Sequence, residues 1–477
     1  MLRDLLVHEL LLCVLLWLGI LSYGLWKQAR AAQYQRKQKA AQRPTRSSQE
    51  KKPFAGLTQK PLCAACEQAE ERGNQASTAP PPLMASTRGR PREVATQHQF
   101  CPKLTCRYYG WVGRGNIRAN GHPSGGPWRQ LHCIACGVYF LETNGTPFHG
   151  KRVPAELLVR IVTTLAEGLG IRAVARVFEV DANTVLGWLI EAADHLQAFS
   201  RYFLHDVQVN QVQLDELFVL VNAVKAGQVS DAEAIERLSR SPHWVWVALD
   251  PESKLLLAID VGERTLAMAQ RLVHRLKQVL APGRIPLFLT DGFKAYATAL
   301  LTHCGHWVQP PRRQLTGPAP KLRWMPLPEL LYAQVVKQCR RRRLVGVRHR
   351  VVFGPLARVT RVLVSKGWQI NTAFIERVNL AIRQHVAAVG RRVLTLCKRE
   401  AGLRQQLALY QTYHNFCLPH ASLRQLLPQP LPTRGTGSAK KWRPWTPAMA
   451  AGLTAHVWTL QEVLKFCVPL WPQPQGL

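Results

Sequence analysis

Residues 211–221, QVQLDELFVLV, have the composition of a buried strand but carry two acidic residues at the centre. The run is rich in Val, Leu and Phe, which is typical of a buried strand. Asp215 and Glu216 interrupt it. Burying an ionised carboxylate without a partner costs several kcal/mol, so the pair indicates a function. Because side chains alternate along a strand, Glu216 is expected to face the side opposite to Asp215.

The segments after this strand alternate between strands and helices. HWVWVALD (243–250), LLLAIDVG (255–262) and IPLFLTDG (285–292) are strand-like, and helical segments follow the last two. This order predicts an α/β fold, with a mixed sheet flanked by helices. Asp250 and Asp260 end strands, and we interpret both as turn or capping residues.

Three carboxylates are candidates for catalysis. Asp291 ends an apolar strand, at the sheet edge where α/β folds place their sites, and Asp215 lies on a neighbouring strand. Two hard divalent cations need a further oxygen ligand. Glu376 is the best choice among the remaining acids, because Asn379 and Arg383 follow it on one helical face. This face would present a metal ligand, an amide and a cation to a phosphodiester.

The charge of the chain indicates a polyanionic partner. Its 477 residues carry a formal net charge of +34, with a pI near 10.4. Nucleic acid is the first candidate and an anionic membrane surface the second. The alternative is a basic protein without such a partner, since charge alone specifies neither sequence preference nor chemistry.

Close cysteine pairs predict a structural zinc site. CPKLTC and CIAC place Cys101, Cys106, Cys133 and Cys136 in two pairs separated by a basic loop. This is the plan of a zinc ribbon with one Zn²⁺ ion; the alternative is two unrelated pairs of free thiols. Cys63 and Cys66 form another pair, but zinc requires four ligands, so this pair alone predicts little.

The segment 153–196 has the pattern of a helix-turn-helix. Apolar residues recur at helical spacing, then a short helix (171–178), a turn (179–182) and a second helix (183–193) follow. The last helix would enter the major groove of DNA, although an ordinary helical hairpin has the same lengths. The candidate DNA-binding residues are Arg172, Arg176, Asn183 and Trp188, together with Asn379 and Arg383.

The N-terminus has the pattern of a membrane anchor. Leu10–Trp26 is almost entirely apolar, and a strongly basic segment follows it. Its length is near the roughly 20 residues of a membrane helix, and the basic flank would hold the remainder in the cytoplasm. The alternative is an upstream extension, with translation beginning at Met84.

Several motifs together resemble the DDE-type transposases of bacterial insertion sequences, in the insertion-sequence-one-like group. They are LDEL at Asp215, TDG at Asp291, NTxxIExxN around Glu376, and YHNFCLPHASL at 413–423. The resemblance implies an RNase H-like catalytic domain in which Asp215, Asp291 and Glu376 bind metal. The expected domains are a transmembrane segment (1–30), a basic and Pro-rich linker (31–100), the zinc ribbon (101–150), the helix-turn-helix (151–200), the catalytic domain (205–425) and a C-terminal tail (426–477).

The resemblance also implies a function. The chain would bind the terminal inverted repeats of its element and cleave and join DNA with two Mg²⁺ or Mn²⁺ ions, as a homo-oligomer. It would act in the cytoplasm at the nucleoid, with an inner-membrane anchor through residues 10–26 if translation starts at Met1. The alternatives are a catalytically inactive DNA-binding protein and a structure-selective nuclease of the same fold.

Overall fold

The computed structural model describes residues 96–221, 243–311, 320–341, 343–390, 397, 399–432 and 437–472. These residues do not include the apolar run at 10–26, the Cys63/Cys66 pair, Met84 or residues 222–242. Among the helices that the structure describes, none has the length and apolar character that crossing a membrane requires.

A small antiparallel sheet begins the described chain. Its strands are β1 (Ile117–Ala119), β2 (Gln130–Cys133) and β3 (Tyr139–Leu141), in that order across the sheet. Its core is small and consists of the buried side chains of Cys101, Cys106, Tyr108, Ile117, Leu131 and Cys133. Because a core of this size buries little apolar surface, this unit needs another source of stability, such as a metal.

Three helices follow, α1 (Ala155–Ala166), α2 (Ile171–Phe178) and α3 (Ala182–Phe203). The Asp181 carboxylate caps α3 by accepting a hydrogen bond from the Asn183 backbone N–H at 2.8 Å. Helix α3 extends ten residues beyond the predicted end at residue 193. Its second half continues because Phe199 and Phe203 pack into the main core, against Phe416.

The other strands and helices build one large domain. The strands are β4 (Gln211–Phe218), β5 (Trp244–Leu249), β6 (Leu256–Gly262), β7 (Leu287–Asp291), β8 (Gly305–Val308), β9 (Arg323–Pro326), β10 (Leu331–Arg340), β11 (Arg343–Phe353), β12 (Gln425–Leu431) and β13 (Lys440–Arg443). The helices are α4 (Leu266–Val279), α5 (Ala295–His303), α6 (Leu356–Val364), α7 (Ala373–His385), α8 (Glu400–Thr412), α9 (Pro447–Ala450) and α10 (Leu460–Lys465). A π-helical turn, Tyr413–Cys417, extends α8.

The central sheet is mixed and has the order β11-β10-β7-β4-β5-β6. Strands β4, β7 and β10 are parallel to one another, whereas β5, β6 and β11 run antiparallel to their neighbours. Helices cover both faces, as the sequence predicted. This topology is compatible with the RNase H-like arrangement that the resemblance implies.

Strand β4 shows why its sequence is almost continuously apolar. Val212 and Leu214 pack into the core on the side of α4 and α5, and Leu217 packs on the opposite side, against α7 and α8. A central strand covered on both faces has no solvent-facing side. Polar side chains in this strand therefore have to find partners within the protein.

The C-terminal segment, residues 426–477, includes a helix that packs against the rest of the domain. Leu460, Val463 and Leu464 of α10 are buried in the main core. The His195 ring on α3 lies 2.9 Å from the Val463 carbonyl oxygen. The apolar spacing of this short helix matches a face of α3, so the chain returns to the helices that precede the sheet.

Asp250 and Asp260 differ in role. Asp250 accepts hydrogen bonds from the backbone N–H groups of Glu252 and Ser253, as expected for a turn residue. The same interpretation is wrong for Asp260, which lies inside β6 with its side chain fully buried. Its carboxylate pairs with Arg271, Arg275 and Arg404. Burial alone would raise the pKa of Asp260, but the three arginines outweigh it and lower that pKa.

We predict that Asp260→Asn destabilises the fold by about 3 kcal/mol, the lower end of what loss of one partner of a buried ion pair causes. Arg271 and Arg275 would lose the carboxylate that they pair with, and Arg404 would keep only its ion pair with Glu400. Equilibrium unfolding in urea measures the effect. The control is Glu191→Gln, which removes a partly exposed pair with Lys151 and should cost less than about 1 kcal/mol. Equal effects of the two substitutions would contradict this account.

His414 is a structural histidine with a pH-dependent effect on stability. Its Nε2 lies 3.0 Å from the carbonyl oxygen of Lys254, and burial lowers its pKa to about 4. The unfolded chain therefore binds a proton in the range from about pH 6.5 to 4 that the folded chain excludes. Stability is retained above this range and is lost as the pH falls through it.

We expect unfolding at pH 4 and pH 7 to reveal this linkage. His414 should contribute a loss of about 3 kcal/mol at the lower pH. His414→Gln cannot titrate, so the free energy of unfolding of this variant should depend less on pH by about that amount. Identical pH profiles for the variant and the wild type would show that folding does not lower the pKa of His414.

Candidate metal-binding and nucleic-acid sites

Asp215 is held inside the sheet by two hydrogen bonds. It lies on the face of β4 that α7 covers, and the Asn379 side-chain amide donates to its Oδ2 at 2.8 Å. The backbone N–H of Glu216 donates to Oδ1 at 2.9 Å. These bonds fix the orientation of the carboxylate while leaving it able to bind a cation.

Asp291 lies beside Asp215 because β4 and β7 are parallel neighbours. The paired register of the two strands ends at Leu214 and Thr290, so the next residue on each strand is an aspartate. The backbone N–H of Phe293 donates to Asp291 Oδ1 at 2.9 Å and fixes the side chain at the strand end. The predicted convergence of the two aspartates at the carboxyl edge is therefore present.

Glu376 approaches from the first turn of α7, where the helix dipole favours an acidic side chain. The Thr372 hydroxyl donates to its Oε1 at 2.9 Å, and Lys337 on β10 forms an ion pair with the same oxygen. Glu376 and Lys337 each have 45% of their side chain exposed. This pair is therefore more accessible to solvent than Asp215, which is only partly exposed.

Glu216 adds a carboxylate that the sequence interpretation did not assign to the site. Its side chain is 1% exposed and pairs with Arg264 at 2.7 Å, and the Tyr296 hydroxyl donates to it at 2.9 Å. These partners lie on the side of the sheet opposite to α7, as alternation predicts. Even so, carboxylate oxygens of Asp215, Glu216 and Asp291 all lie within 4.8 Å of one another. The three carboxylates come together because Asp291 lies just beyond the last residue pair of β4 and β7, where its side chain can reach both faces of the sheet.

The carboxylates raise one another's affinity for positive charge. Burial raises the pKa of Asp215 to about 6, and the charges of Asp291 and Glu376 act in the same direction. Burial also raises the pKa of Glu216 to about 7, with a further contribution from Asp291 that Arg264 opposes. Like charges held this close favour either protonation or a bound cation.

The three predicted residues line one open cleft of about 490 Å³. The cleft is lined by both acidic and basic side chains. Its lining includes the carboxylates of Asp215, Asp291 and Glu376 and the side chains of Arg264, Lys294 and Lys337. Acid beside base in one cleft suits divalent cations together with a phosphate group.

The donor set fits hard divalent cations. All of its donors are oxygens, which Mg²⁺ and Mn²⁺ prefer. The Oδ1 atom of Asn379 is buried beside Asp215 and accepts no hydrogen bond from a described residue. It is free to accept one from a metal-bound water. Two carboxylate sets can bind the ions, Asp215 and Asp291 with Glu376, as predicted, or Asp215 and Asp291 with Glu216.

The four predicted cysteines converge in the N-terminal sheet. Their sulfur atoms lie within 4.8 Å of one another, with Cys101 and Cys136 3.6 Å apart and Cys106 and Cys133 3.9 Å apart. A tetrahedral zinc ion with Zn–S bonds of about 2.3 Å requires sulfur atoms about 3.8 Å apart, so the spacing fits. The Asn116 amide and the Tyr108 N–H donate to Cys133 and Cys106. Such donors stabilise thiolates.

The candidate DNA-binding residues occupy different environments. Arg172, Arg176 and Asn183 are exposed on α2 and at the start of α3. Our assignment of Trp188 to DNA contact is wrong, because its ring is 6% exposed and packs in the main core. Asn379 is also buried and faces Asp215. Arg383 is partly buried on α7 and is not part of the cleft lining.

The chain is only weakly similar to known proteins. No protein-family model and no curated protein sequence matches the chain. The crystal structure of the Mos1 strand transfer complex shares 16% identity over 31% of this chain and 54% of that chain, with a TM-score of 0.12. A pre-cleavage Mos1 transpososome shares 16% identity over 32% and 59%, with a TM-score of 0.13. The chain thus spans little more than half the length of these two chains, and a similarity this weak carries no inference about its activity.

Proposed function

We propose that this protein is a DNA transposase that binds the ends of its own mobile element, cleaves them and joins them to target DNA. The observation that carries the proposal is the cleft, in which three carboxylates predicted from distant positions in the sequence line one space with three cations. An RNase H-like domain would provide this cleft. A protein that only binds DNA has no need for carboxylates in a surface that must accept phosphates.

Asp215, Asp291 and Glu376 would hold two Mg²⁺ or Mn²⁺ ions. When bound, the ions supply an activated water and neutralise charge at the phosphate. The protein's own residues position the reactants. Asn379 orients the carboxylate of Asp215, and Thr372 orients that of Glu376.

The cations of the cleft would bind the phosphodiester. Lys337 pairs with Glu376, and it would be free to contact a phosphate oxygen if a metal ion bound that carboxylate. Arg264 is held by the buried Glu216 and lies 3.7 Å from Asp291, which places its charge close to the reacting group. Lys294 follows Asp291 closely in the chain and lines the same cleft.

The N-terminal units would recognise the element ends. The cysteine cluster would bind one structural Zn²⁺, and helices α1 to α3 would act as a helix-turn-helix. The exposed Arg172, Arg176 and Asn183 lie where such a motif contacts DNA. Two ends have to be joined, so a homo-oligomer acting at the nucleoid in the cytoplasm is part of the proposal.

A cleavage and strand-transfer assay tests this function. Purified protein would be incubated with Mg²⁺ or Mn²⁺ and DNA that carries the flanking ends of the element, with scrambled ends and branched DNA in parallel. We expect metal-dependent nicks at the ends and joined products. Cleavage of branched DNA regardless of end sequence would indicate a structure-selective nuclease. Binding of the ends without cleavage would indicate an inactive DNA-binding protein.

A further inference from the structure

Strands β10 and β11 continue beyond the sheet as a two-stranded hairpin. The first five residues of β10 are buried, whereas residues 337–340 and most of 343–350 are exposed. We call residues 337–350 the basic hairpin. The far end of the hairpin is covered on neither face, and Val345 and Val347 are 63% and 51% exposed. A solvated hairpin of this kind contributes little to the core, so its composition reflects another role.

The arginines of the basic hairpin share one face. Residues directly opposite each other in an antiparallel pair project to the same side, and alternate residues do likewise. Arg340 is paired with Arg343, and Arg348 and Arg350 are paired with Val336 and Gln334 on the same side. The register therefore places four arginines on one face, Arg340, Arg343, Arg348 and Arg350.

This arginine face has no acidic counterpart. The sequence contains no Asp or Glu between Glu329 and Glu376, so the hairpin cannot neutralise itself. Among the residues that the structure describes, no carboxylate forms an ion pair with any of these four guanidinium groups. Like charges opposite each other destabilise a strand pair. The arrangement is therefore unfavourable unless a polyanion binds it.

The root of the basic hairpin borders the cleft. Val336, on the same face as the arginines, lies against Gly292, the residue after Asp291, and both line the cleft. Lys337, which pairs with Glu376, projects to the opposite face. Arg348 is opposite Val336, one strand further from the cleft. A phosphate chain that leaves the cleft on this side would therefore meet the arginine face.

The dimensions of the hairpin suit duplex DNA. Arg348 and Arg350 are separated along the strand by about 6.8 Å, which equals two rises of about 3.4 Å per nucleotide along the helix axis of B-DNA. Two paired strands are also narrow enough for the major groove, about 12 Å wide. We propose that the arginine face binds the phosphates of the duplex next to the cleft and holds the DNA independently of base sequence. This inference rests on the proposed function, since it assigns the DNA path at the same site.

Salt dependence of DNA binding tests the inference. Anisotropy of a labelled duplex would be measured over a range of salt concentrations, without divalent cations, for full-length wild type and a variant with Arg340, Arg343, Arg348 and Arg350 replaced by Gln. Each lost phosphate contact lowers the slope of log K against log salt by about 0.9, so we expect a decrease of about 3 to 4. The matched control replaces four exposed cations elsewhere by Gln, Arg284, Lys321, Lys440 and Lys441, and should change the slope by less than about 1.

Equal slopes for the two quadruple variants would overturn the inference, because bulk charge would then explain binding. An unchanged slope for the hairpin variant would overturn it as well. Circular dichroism and thermal unfolding would verify that both variants fold. The cleavage assay on the same wild-type preparation separates the two proposals. If the wild type cleaves DNA but the hairpin variant keeps its slope, only the role of the hairpin is refuted. If the wild type does not cleave DNA but the hairpin variant has a reduced slope, only the transposase activity is refuted.

Discussion

Asp291→Asn should reduce metal-dependent cleavage of end DNA by at least about 10³-fold. An amide at this position keeps the shape of the side chain but removes one of the negative charges that hold the ions. Bound metal supplies several kcal/mol of transition-state stabilisation, and each 1.36 kcal/mol corresponds to tenfold in rate. Single-turnover cleavage with saturating protein measures the chemical step. DNA binding should not weaken, since the substitution removes a negative charge that would repel the DNA phosphates.

The matched control for this prediction is Glu191→Gln. Glu191 lies on α3, outside the cleft, and its carboxylate pairs with Lys151. This variant should cleave at the wild-type rate. Cleavage by Asp291→Asn within tenfold of the wild type would contradict the metal-binding role of Asp291. A parallel decrease in the control would indicate a general effect of charge.

Cys133→Ser should release the zinc ion and unfold the N-terminal sheet. Structural zinc provides an apparent 10–16 kcal/mol of folding free energy in small domains, and this sheet has few other buried apolar side chains. Cys133 is fully buried, so no ligand from outside the cluster can take the place of its thiolate on the zinc ion. Metal analysis by atomic emission, with limited proteolysis of residues 101–141, measures both consequences.

Cys339→Ser is the control for the zinc prediction, since Cys339 is exposed and lies outside the cluster. It should retain one zinc ion per chain and resist proteolysis like the wild type. A zinc-free wild-type protein with a protease-resistant sheet would contradict the prediction. Retention of zinc by Cys133→Ser would exclude Cys133 as an essential ligand.

The sequence was informative where one local pattern determines the structure. Strand β4 could be predicted because its apolar run is short and bounded, and Asp215 was conspicuous because acid is rare in such a strand. The end of an apolar strand located Asp291 at the sheet edge. Cysteine spacing located the four thiols, because close pairs of this kind form metal-binding turns.

The remaining parts of the site depend on contacts between distant residues. Lys337 lies on a strand that the sequence analysis did not identify, and it meets Glu376 only when β10 pairs with β7. Glu216 faces the opposite side of the sheet, as predicted, but its carboxylate still meets that of Asp291, which lies one residue beyond the β4–β7 ladder. Its partner Arg264 has no local signal, because surface arginines are common in so basic a chain.

Two errors have the same origin. Trp188 lies on the last helix of the predicted helix-turn-helix, but the sequence could not reveal that this turn of α3 faces the main core. Asp260 resembled a turn residue because it lies near the end of an apolar run. Its true partners come from α4 and α8, which are 11 to 144 residues away in the chain. Local patterns report burial well but do not identify the partner.

Anomalous scattering would show whether the cleft holds catalytic metal ions. Crystals of the protein with end DNA would be grown with Mn²⁺, and the anomalous peaks in the cleft located. We expect two peaks about 3.5–4 Å apart, bound by Asp215, Asp291 and Glu376, with Lys337 no longer paired to Glu376. An absence of peaks, or ions bound by Asp215, Glu216 and Asp291 while Glu376 still pairs with Lys337, would refute this assignment.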